Sequence, residues 1–333
     1  MARVLVIGGT LFIGRALVRR LLEQGDKVTI LHRAETTPFG DRVASIRCDR
    51  NDIVGVRTAL AERDFDVVYD NVYDWQRGTT AEQVTAAALA CEGIGRYVFT
   101  SSVAAYGAVD EADEETPLAA PDHPDAYVRN KAESERALLG LHEENGFPAV
   151  TLRPPYIYGP ENPFYREAFF WDRLLVARPI IVPGDGSRLM GFIHADDFAR
   201  ASILAAESER AVGRSYNIAH VHPVTQEELV RALTRVAGVE PWLVFVPRET
   251  LTARGGGVFE PPYYFGQYFD MPPIVQKTER ARDELGFEAR DFEEGLADSF
   301  EWYRREGVRK EPDVSWEDEL LGSLERSQPQ LLP

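Results

Sequence analysis

The sequence predicts an α/β fold: a doubly wound parallel sheet joined to a smaller C-terminal α/β lobe. Three observations carry this. A buried-strand run, Arg3 to Ile7, opens into Gly8-Gly9-Thr10-Leu11-Phe12-Ile13-Gly14 and then an amphipathic helix. Strand-like and helix-like segments then alternate up to Arg153, and such alternation needs right-handed crossovers between parallel strands. Beyond that point the chain turns rich in Tyr, Phe, Trp and Pro. The expected division is a dinucleotide-binding domain at 1–154 plus 191–220, a substrate lobe at 155–190 plus 221–312, and a tail at 313–333.

The first strand, glycine turn and helix (Leu17, Val18, Leu21, Leu22, stopped by Gly25) form a phosphate-cradle arrangement. Backbone N–H groups and a helix N-terminus face a pyrophosphate there. Gly8, Thr10, Leu11, Phe12, Ile13 and Gly14 are the candidate cradle residues, although Leu11 holds the place of a middle glycine. The second strand, Lys27 to Leu31, ends at His32-Arg33. An acid at this point accepts from the 2′-hydroxyl of NAD, whereas an arginine favours the 2′-phosphate of NADP. Arg33, with His32 beside it, therefore points to NADP, with NAD as the alternative. A third strand, Val43 to Arg47, leads to Asp49, placed either to meet the adenine amino group or to cap the helix beginning near Asp52.

Phe65 to Tyr69 reads as a fourth strand ending at Asp70-Asn71, Thr80 to Ala90 as a helix, and Tyr97 to Thr100 as a fifth strand closed by Ser101-Ser102. Ligands in such sheets lie beyond the strand carboxyl ends, which brings Asn71 and Ser102 into consideration. Gly107 to Ala126 holds seven acids and no Lys or Arg, and is expected to be a solvated loop.

The helix from Ala126 to Leu141 carries Tyr127 and Lys131, four residues apart and so on one face. The chain has only four lysines against 33 arginines. A lysine kept in that background suits a task for a compact charge that an arginine fork performs badly. An ammonium beside a phenol lowers its pKa from ~10 by the roughly three units, about 4 kcal/mol, that use at neutral pH requires. A charge at about 4 Å supplies that at an effective dielectric of about 20. The plainer alternative is a surface helix with an incidental Tyr and Lys.

Composition narrows the partners. A formal net charge of −17 disfavours nucleic acid and anionic membrane surfaces. Cys48 and Cys91 form neither a disulfide framework nor a metal-spaced set, which fits a reducing cytoplasm, and no apolar run approaches a membrane span. No signal peptide is expected before the first strand. His194, Asp196 and Asp197 resemble a metal cluster, but the acids precede a helix, where negative charge suits the N-terminus, so no metal is expected.

Five segments together carry a resemblance: Gly8-Gly9-x-x-Phe12-Ile13-Gly14, Ser101-Ser102-x-x-x-Tyr106-Gly107, Tyr127-x-x-x-Lys131, Leu152-Arg153-Pro154-x-x-Ile157-Tyr158-Gly159-Pro160, and Phe192-Ile193-His194-Ala195-Asp196-Asp197. In that order they resemble the extended short-chain dehydrogenase/reductases, the group of the NAD-dependent sugar-nucleotide epimerases and dehydratases, with a Rossmann-type domain, over about residues 1 to 305. The run from Arg282 to Ser299 and Asp66-Val67-Val68-Tyr69-Asp70 are similar to the branch that includes the chloroplast stem-loop-binding proteins and bacterial relatives.

The resemblance implies a Ser102–Tyr127–Lys131 triad. Tyr127 is the proton donor and acceptor, Lys131 also holds the nicotinamide ribose, Ser102 bonds the reacting oxygen, and Pro154 passes near the carboxamide. It also implies a homodimer through the helices near 80–91 and 126–145. The substrate half departs from the sugar-nucleotide pattern: Tyr156 stands for the usual Asn, Met190 for an Arg, with Arg188 two positions earlier, and the region 265–270 lacks the usual arginines. Tyr156, Arg188, Tyr263 and Tyr264 are the candidate substrate contacts. The expectation is an oxidoreductase or epimerase acting on a sugar-like or other small carbonyl or hydroxyl compound. The alternatives are a nucleoside-diphosphate-sugar epimerase or dehydratase, and a nucleotide-sensing or RNA-binding scaffold.

Overall fold

The computed structural model describes residues 1–91, 93–254, 269–307 and 311–327. They divide into two units: Met1–Ile157 with Phe192–Val221 and Gln276–Arg290, and Tyr158–Gly191 with His222–Val275 and Asp291–Pro333.

The first unit is built on seven parallel strands: β1 (Arg3–Ile7), β2 (Lys27–His32), β3 (Ala44–Arg47), β4 (Val67–Asp70), β5 (Arg96–Thr100), β6 (Ala149–Arg153) and β7 (Arg214–Asn217). Their order is β7-β6-β5-β4-β1-β2-β3, with β1 pairing β2 on one side and β4 on the other. Chain progression reverses between β1 and β4, so the crevice for a ligand opens at the carboxyl ends of those two strands. The sheet is covered on both faces, which is why its central strands read as continuous apolar runs. One face packs Leu17, Val18 and Leu21 of α1 (Phe12–Glu23) with Phe198 and Ala201 of α5 (Ala195–Glu207). The other packs Val56 and Leu60 of α2 (Ile53–Leu60), Val84 and Ala87 of α3 (Ala81–Leu89), and Leu138 of α4 (Ala126–Asn145).

Local signals set the helix ends. Asp52 caps α2 by accepting from the Gly55 N–H, leaving Asp49 to other partners. Thr80 and Gln83 form a capping box on α3. The Asp125 carboxylate accepts from the N–H groups of Tyr127 and Val128, and Gly146, at φ 69°, ends α4 in the left-handed conformation that glycine adopts freely.

Two expectations are corrected. Gln276–Arg290, assigned from sequence to the substrate lobe, belongs to the first unit: its helix α6 (Glu279–Leu285) lends Ala281 and Leu285 to the core, followed by Phe287. The acidic stretch after Gly107 is not wholly solvated. Glu111–Ala112 forms a strand, and the buried Glu114 side chain accepts from the Asn217 N–H at 2.9 Å, its acidity weakened by burial. Within the tail, Ser315–Ser327 is a helix, and its Glu317 accepts from Arg173 at 2.6 Å in a buried pair.

In the second unit, Ile180–Pro183 runs parallel to Leu243–Val246. The aromatic run of the sequence is core here. Trp171 is 2% exposed and lies 5.1 Å from the Phe300 ring and 5.2 Å from Tyr303. The hydroxyls of Tyr165 and Tyr303 both donate to the buried Asp172.

Candidate functional site

The glycine loop leaves β1 at the switch point, and its glycines are needed for close approach. A Cβ on Gly14 would stand 1.9 Å from the Gly8 carbonyl oxygen, and one on Gly8, at φ +88°, would stand 2.3 Å from Val72 Cγ2. Leu11 does not obstruct the turn: at φ −130° it sits in ordinary extended backbone with its side chain in solvent, so a middle glycine is dispensable. Phe12, buried and at φ 38°, holds a left-handed conformation that costs a bulky residue about 1–3 kcal/mol, the kind of strain found at ligand clamps. No side chain caps the first turn of α1, which leaves its leading N–H groups for an anion. Loop and helix therefore fit a pyrophosphate, with Thr10 and Ile13 along the same turn.

At the end of β2, His32 turns inward. Its ring is buried, tied to the Ser45 hydroxyl, and burial holds its pKa below the usual value. His32, a cofactor-contact candidate of the sequence, thus places its imidazole in the protein interior. Arg33 points outward and donates through Nη1 to Asp74 at 3.0 Å. Asp49 takes the Asn51 N–H at 2.9 Å on one oxygen and Arg77 Nη2 at 2.7 Å on the other.

Beyond β4 and β5 the expected residues converge. Asn71 accepts from Thr100 Oγ1 at 2.6 Å. Lys131, 4% exposed, donates from Nζ to the Thr100 carbonyl at 2.6 Å. That ammonium lies 4.9 Å from the centroid of Phe99, 5.4 Å from Tyr73 and 5.9 Å from Tyr127. Burial lowers its pKa to about 8, against the pull of the Asp70 and Glu135 carboxylates. A lysine so placed is charged at neutral pH and close to giving up its proton.

Tyr127 is half-buried at the start of α4. Trp75 stacks on its ring at 4.8 Å and 28°, and Tyr73 meets it edge-on at 4.7 Å and 86°. Asn130, one residue before Lys131, donates to the Tyr73 hydroxyl at 3.2 Å and fixes that ring. Ser102 is buried just past β5, its Oγ accepting from the Ala104 N–H at 3.1 Å. The carbonyl of the buried Pro154 accepts from the Val103 N–H at 2.9 Å, tying the end of β6 to the Ser102 turn. A phenol near a charged lysine, on a crevice that fits a dinucleotide, can exchange a proton with a hydroxyl or carbonyl.

The proposed substrate contacts fare differently. Tyr156 packs half-buried against Phe192, ring centroids 5.7 Å apart. Arg188, in the second unit, is held by Asp270, 3.0 Å from Oδ1 and bonded also to its backbone carbonyl, while Arg248 bonds the same carboxylate at 2.9 Å. Arg188 is thus paired with Asp270 within its own unit. Tyr263 and Tyr264 lie outside the described residues. His194, Asp196 and Asp197 are structural. His194 caps α5, Asp196 binds Arg20 at 2.6 Å and Arg290 at 2.8 Å, and Asp197 binds Arg290 at 3.1 Å.

Sequence reasoning missed Tyr73, Trp75, Asp74, Arg77 and Asn130. The signal available was the cluster Tyr73-Asp74-Trp75 three residues beyond the end of β4, on the side of the sheet where ligands lie.

The model of the NAD dependent epimerase/dehydratase family matches residues 4–219. The chain is 29% identical over 341 residues to the chloroplast stem-loop binding protein of 41 kDa b of Arabidopsis thaliana, covering 96% of this chain and 84% of that one. It is also 29% identical over 352 residues to a dTDP-glucose 4,6-dehydratase of Streptomyces niveus, covering 96% and 98%. The UDP-glucose 4-epimerase of Thermotoga maritima, solved with UDP-glucose, shares the fold at a TM-score of 0.73 and 22% identity, over 91% of this chain and 99% of that one. Among the described residues no helix is long and apolar enough to cross a membrane. With its family model spanning the switch-point crevice and the residues gathered there, this chain belongs to the NAD dependent epimerase/dehydratase family of enzymes.

Proposed function

We propose that this chain is an NADP-linked oxidoreductase acting on a small, non-nucleotide carbonyl or hydroxyl compound, with Ser102, Tyr127 and Lys131 as its catalytic residues. The observation that carries the proposal is the buried Lys131, held on the Thr100 carbonyl beside the Tyr127 ring at the crevice of the glycine loop. When bound, the nicotinamide supplies the hydride chemistry. The chain's own residues do the rest. Tyr127 gives its phenolic proton to a carbonyl oxygen as the carbon is reduced, or takes it from a hydroxyl in the reverse direction. Lys131 favours the phenolate through its charge and presents N–H donors for a ribose hydroxyl. Ser102 donates to the reacting oxygen.

Tyr156 and Met190, standing at two of the usual phosphate-contact places, favour a substrate without a pyrophosphate, because a dianion needs bidentate partners. Trp75 and Tyr73 offer apolar ring faces instead. The names of two relatives support a second possibility, a nucleoside-diphosphate-sugar epimerase or dehydratase. The name of another supports binding of a nucleic-acid stem-loop, which the net charge of −17 opposes. The proposal extends to a cytoplasmic homodimer through α3 and α4.

The test is calorimetric titration of nucleotide-stripped protein with NADPH and NADH, with mass spectrometry of any co-purified nucleotide. A screen of small carbonyl compounds and nucleotide sugars follows, read by nicotinamide oxidation and product chromatography. Preferential NADPH binding with turnover of free carbonyl compounds supports the proposal. Retained NAD with turnover of nucleotide sugars alone overturns it.

A further inference from the structure

Three strand ends meet beside the switch point, and each contributes a charged side chain. Arg33 follows β2, Asp49 follows β3, and Asp74 and Arg77 follow β4. Two guanidiniums share one oxygen: Asp74 Oδ2 lies 3.0 Å from Arg33 Nη1, 3.0 Å from Arg77 Nε and 2.7 Å from Arg77 Nη2. Arg77 Nη2 also reaches Asp49 at 2.7 Å.

Asp74 is itself fixed. It is 6% exposed, its Oδ1 accepts from the N–H groups of Gln76 and Arg77 at 3.0 Å, and its own N–H donates to Thr79 at 3.0 Å. Burial works against its charge, but Arg77 and those two N–H groups hold its pKa down at about 2. The carboxylate is a permanent post to which both arginines are tied.

The arginines, by contrast, are open on their far side. Their side chains are 59% and 52% exposed, Arg33 spends only Nη1 on Asp74, and Arg77 keeps Nη1. One guanidinium already pairs the buried Asp74 carboxylate, so charge pairing gives a weak reason for a second arginine on the same oxygen. The position gives a better one, since the end of β2 is where the adenosine ribose of a dinucleotide lies in this fold.

We infer that Arg77 and Arg33 together form a clamp for the 2′-phosphate of NADP, and that Asp74 is the positioning residue that holds the two guanidiniums together. The proposal rests on the NADP preference put forward above. It adds that the preference is shared between loops after β2 and β4, so Arg33 alone does not set it. The ligand class is a phosphate monoester on an adenosine ribose. Asp49, which occupied the adenine place in the sequence reading, acts here as the second tether of Arg77.

The experiment is calorimetric titration of the full chain with NADPH, NADH, adenosine 2′,5′-bisphosphate and AMP, for the wild type and for R77Q, R33Q and D74N. Loss of a charge-assisted bond to the phosphate predicts that R77Q weakens NADPH and bisphosphate binding about 10-fold or more, with NADH and AMP unchanged. R33Q is expected to do the same, and D74N to lower the NADPH-to-NADH ratio by about 3-fold or more through loosened arginines. Circular dichroism melts verify folding, and R77K replaces R77Q should that variant not fold, with the same loss expected because a lysine lacks the fork.

A wild type that binds NADPH no better than NADH overturns the NADP proposal and this inference with it. A wild type that prefers NADPH, loses the preference in R33Q and keeps it in R77Q and R77K overturns this inference alone.

Discussion

Trp75 lies flat on Tyr127, ring centroids 4.8 Å apart and planes 28° from parallel, although 61% of Trp75 is exposed. An exposed tryptophan spread on the proposed proton donor is an apolar wall of the crevice. Replacing Trp75 with Ala is predicted to raise KM for a ring-bearing carbonyl substrate about 2- to 10-fold, the value of one aromatic pair, with a smaller change in kcat. Unfolding stability is expected to stay within about 0.5 kcal/mol, since the residue is mostly in solvent. Steady-state kinetics with a denaturant melt check both, and an unchanged KM would remove Trp75 from the substrate wall.

Lys131 sets activity against stability. Its folded pKa of about 8 lies below the ordinary 10.5, so the protonated form is disfavoured in the fold. The unfolded chain binds the extra proton between those values, and stability rises with pH across that window. Substituting Met removes a burial penalty of about 3 kcal/mol and forfeits one hydrogen bond of about 1 kcal/mol. K131M is predicted to be about 2 kcal/mol more stable than the wild type at pH 7, the gap closing between about pH 8 and 10.5, with kcat about 10²- to 10⁴-fold lower. Urea melts at several pH values read the first part. A destabilised K131M at pH 7 would show that the Thr100 carbonyl contact outweighs the burial cost.

Asp70 and Arg50 form a buried ion pair behind β4, 0% and 3% exposed at their side chains, and the Tyr97 hydroxyl adds a bond to Asp70 at 2.8 Å. Removing either partner strands a buried charge. D70A and R50A are each predicted to cost about 3–5 kcal/mol, and the double variant to cost less than the sum by more than about 1 kcal/mol. Strict additivity in a double-mutant cycle would deny the coupling.

His194 is predicted to shape the acid limb of stability. Burial first, then Arg290, lowers its pKa to about 4, against the pull of Asp197 and Asp196, with His220 adding to the decrease. The unfolded imidazole protonates at its ordinary value of about 6.5, so between there and about pH 4 the unfolded state holds more protons. Stability therefore falls as pH drops through that window, by up to about 3 kcal/mol from this group. H194N keeps a helix-capping side chain and is predicted to flatten that slope, measured by thermal melts from pH 7 to 4. An identical slope would place the acid sensitivity elsewhere.

Much of the molecule was legible in the sequence because its signals are local. A strand, a glycine turn and a helix declare themselves by period and by steric need, and Gly14 can be nothing else where a Cβ would meet a carbonyl at 1.9 Å. Tyr127 and Lys131 share a face because helical geometry places residues four apart together, and α4 spans both. Arg33 was legible as a strand-end cation. What tertiary structure decided is which neighbours those groups meet. Arg77 joins Arg33 only because β4 is threaded beside β1, bringing residues 44 positions apart onto one carboxylate oxygen. His32 meets Ser45 and Arg188 meets Asp270, because a buried or half-buried polar group takes whichever partner packing presents. Sequence period fixes a side chain's face, but partners across a sheet or between loops are chosen by chain crossings that no short window of residues contains.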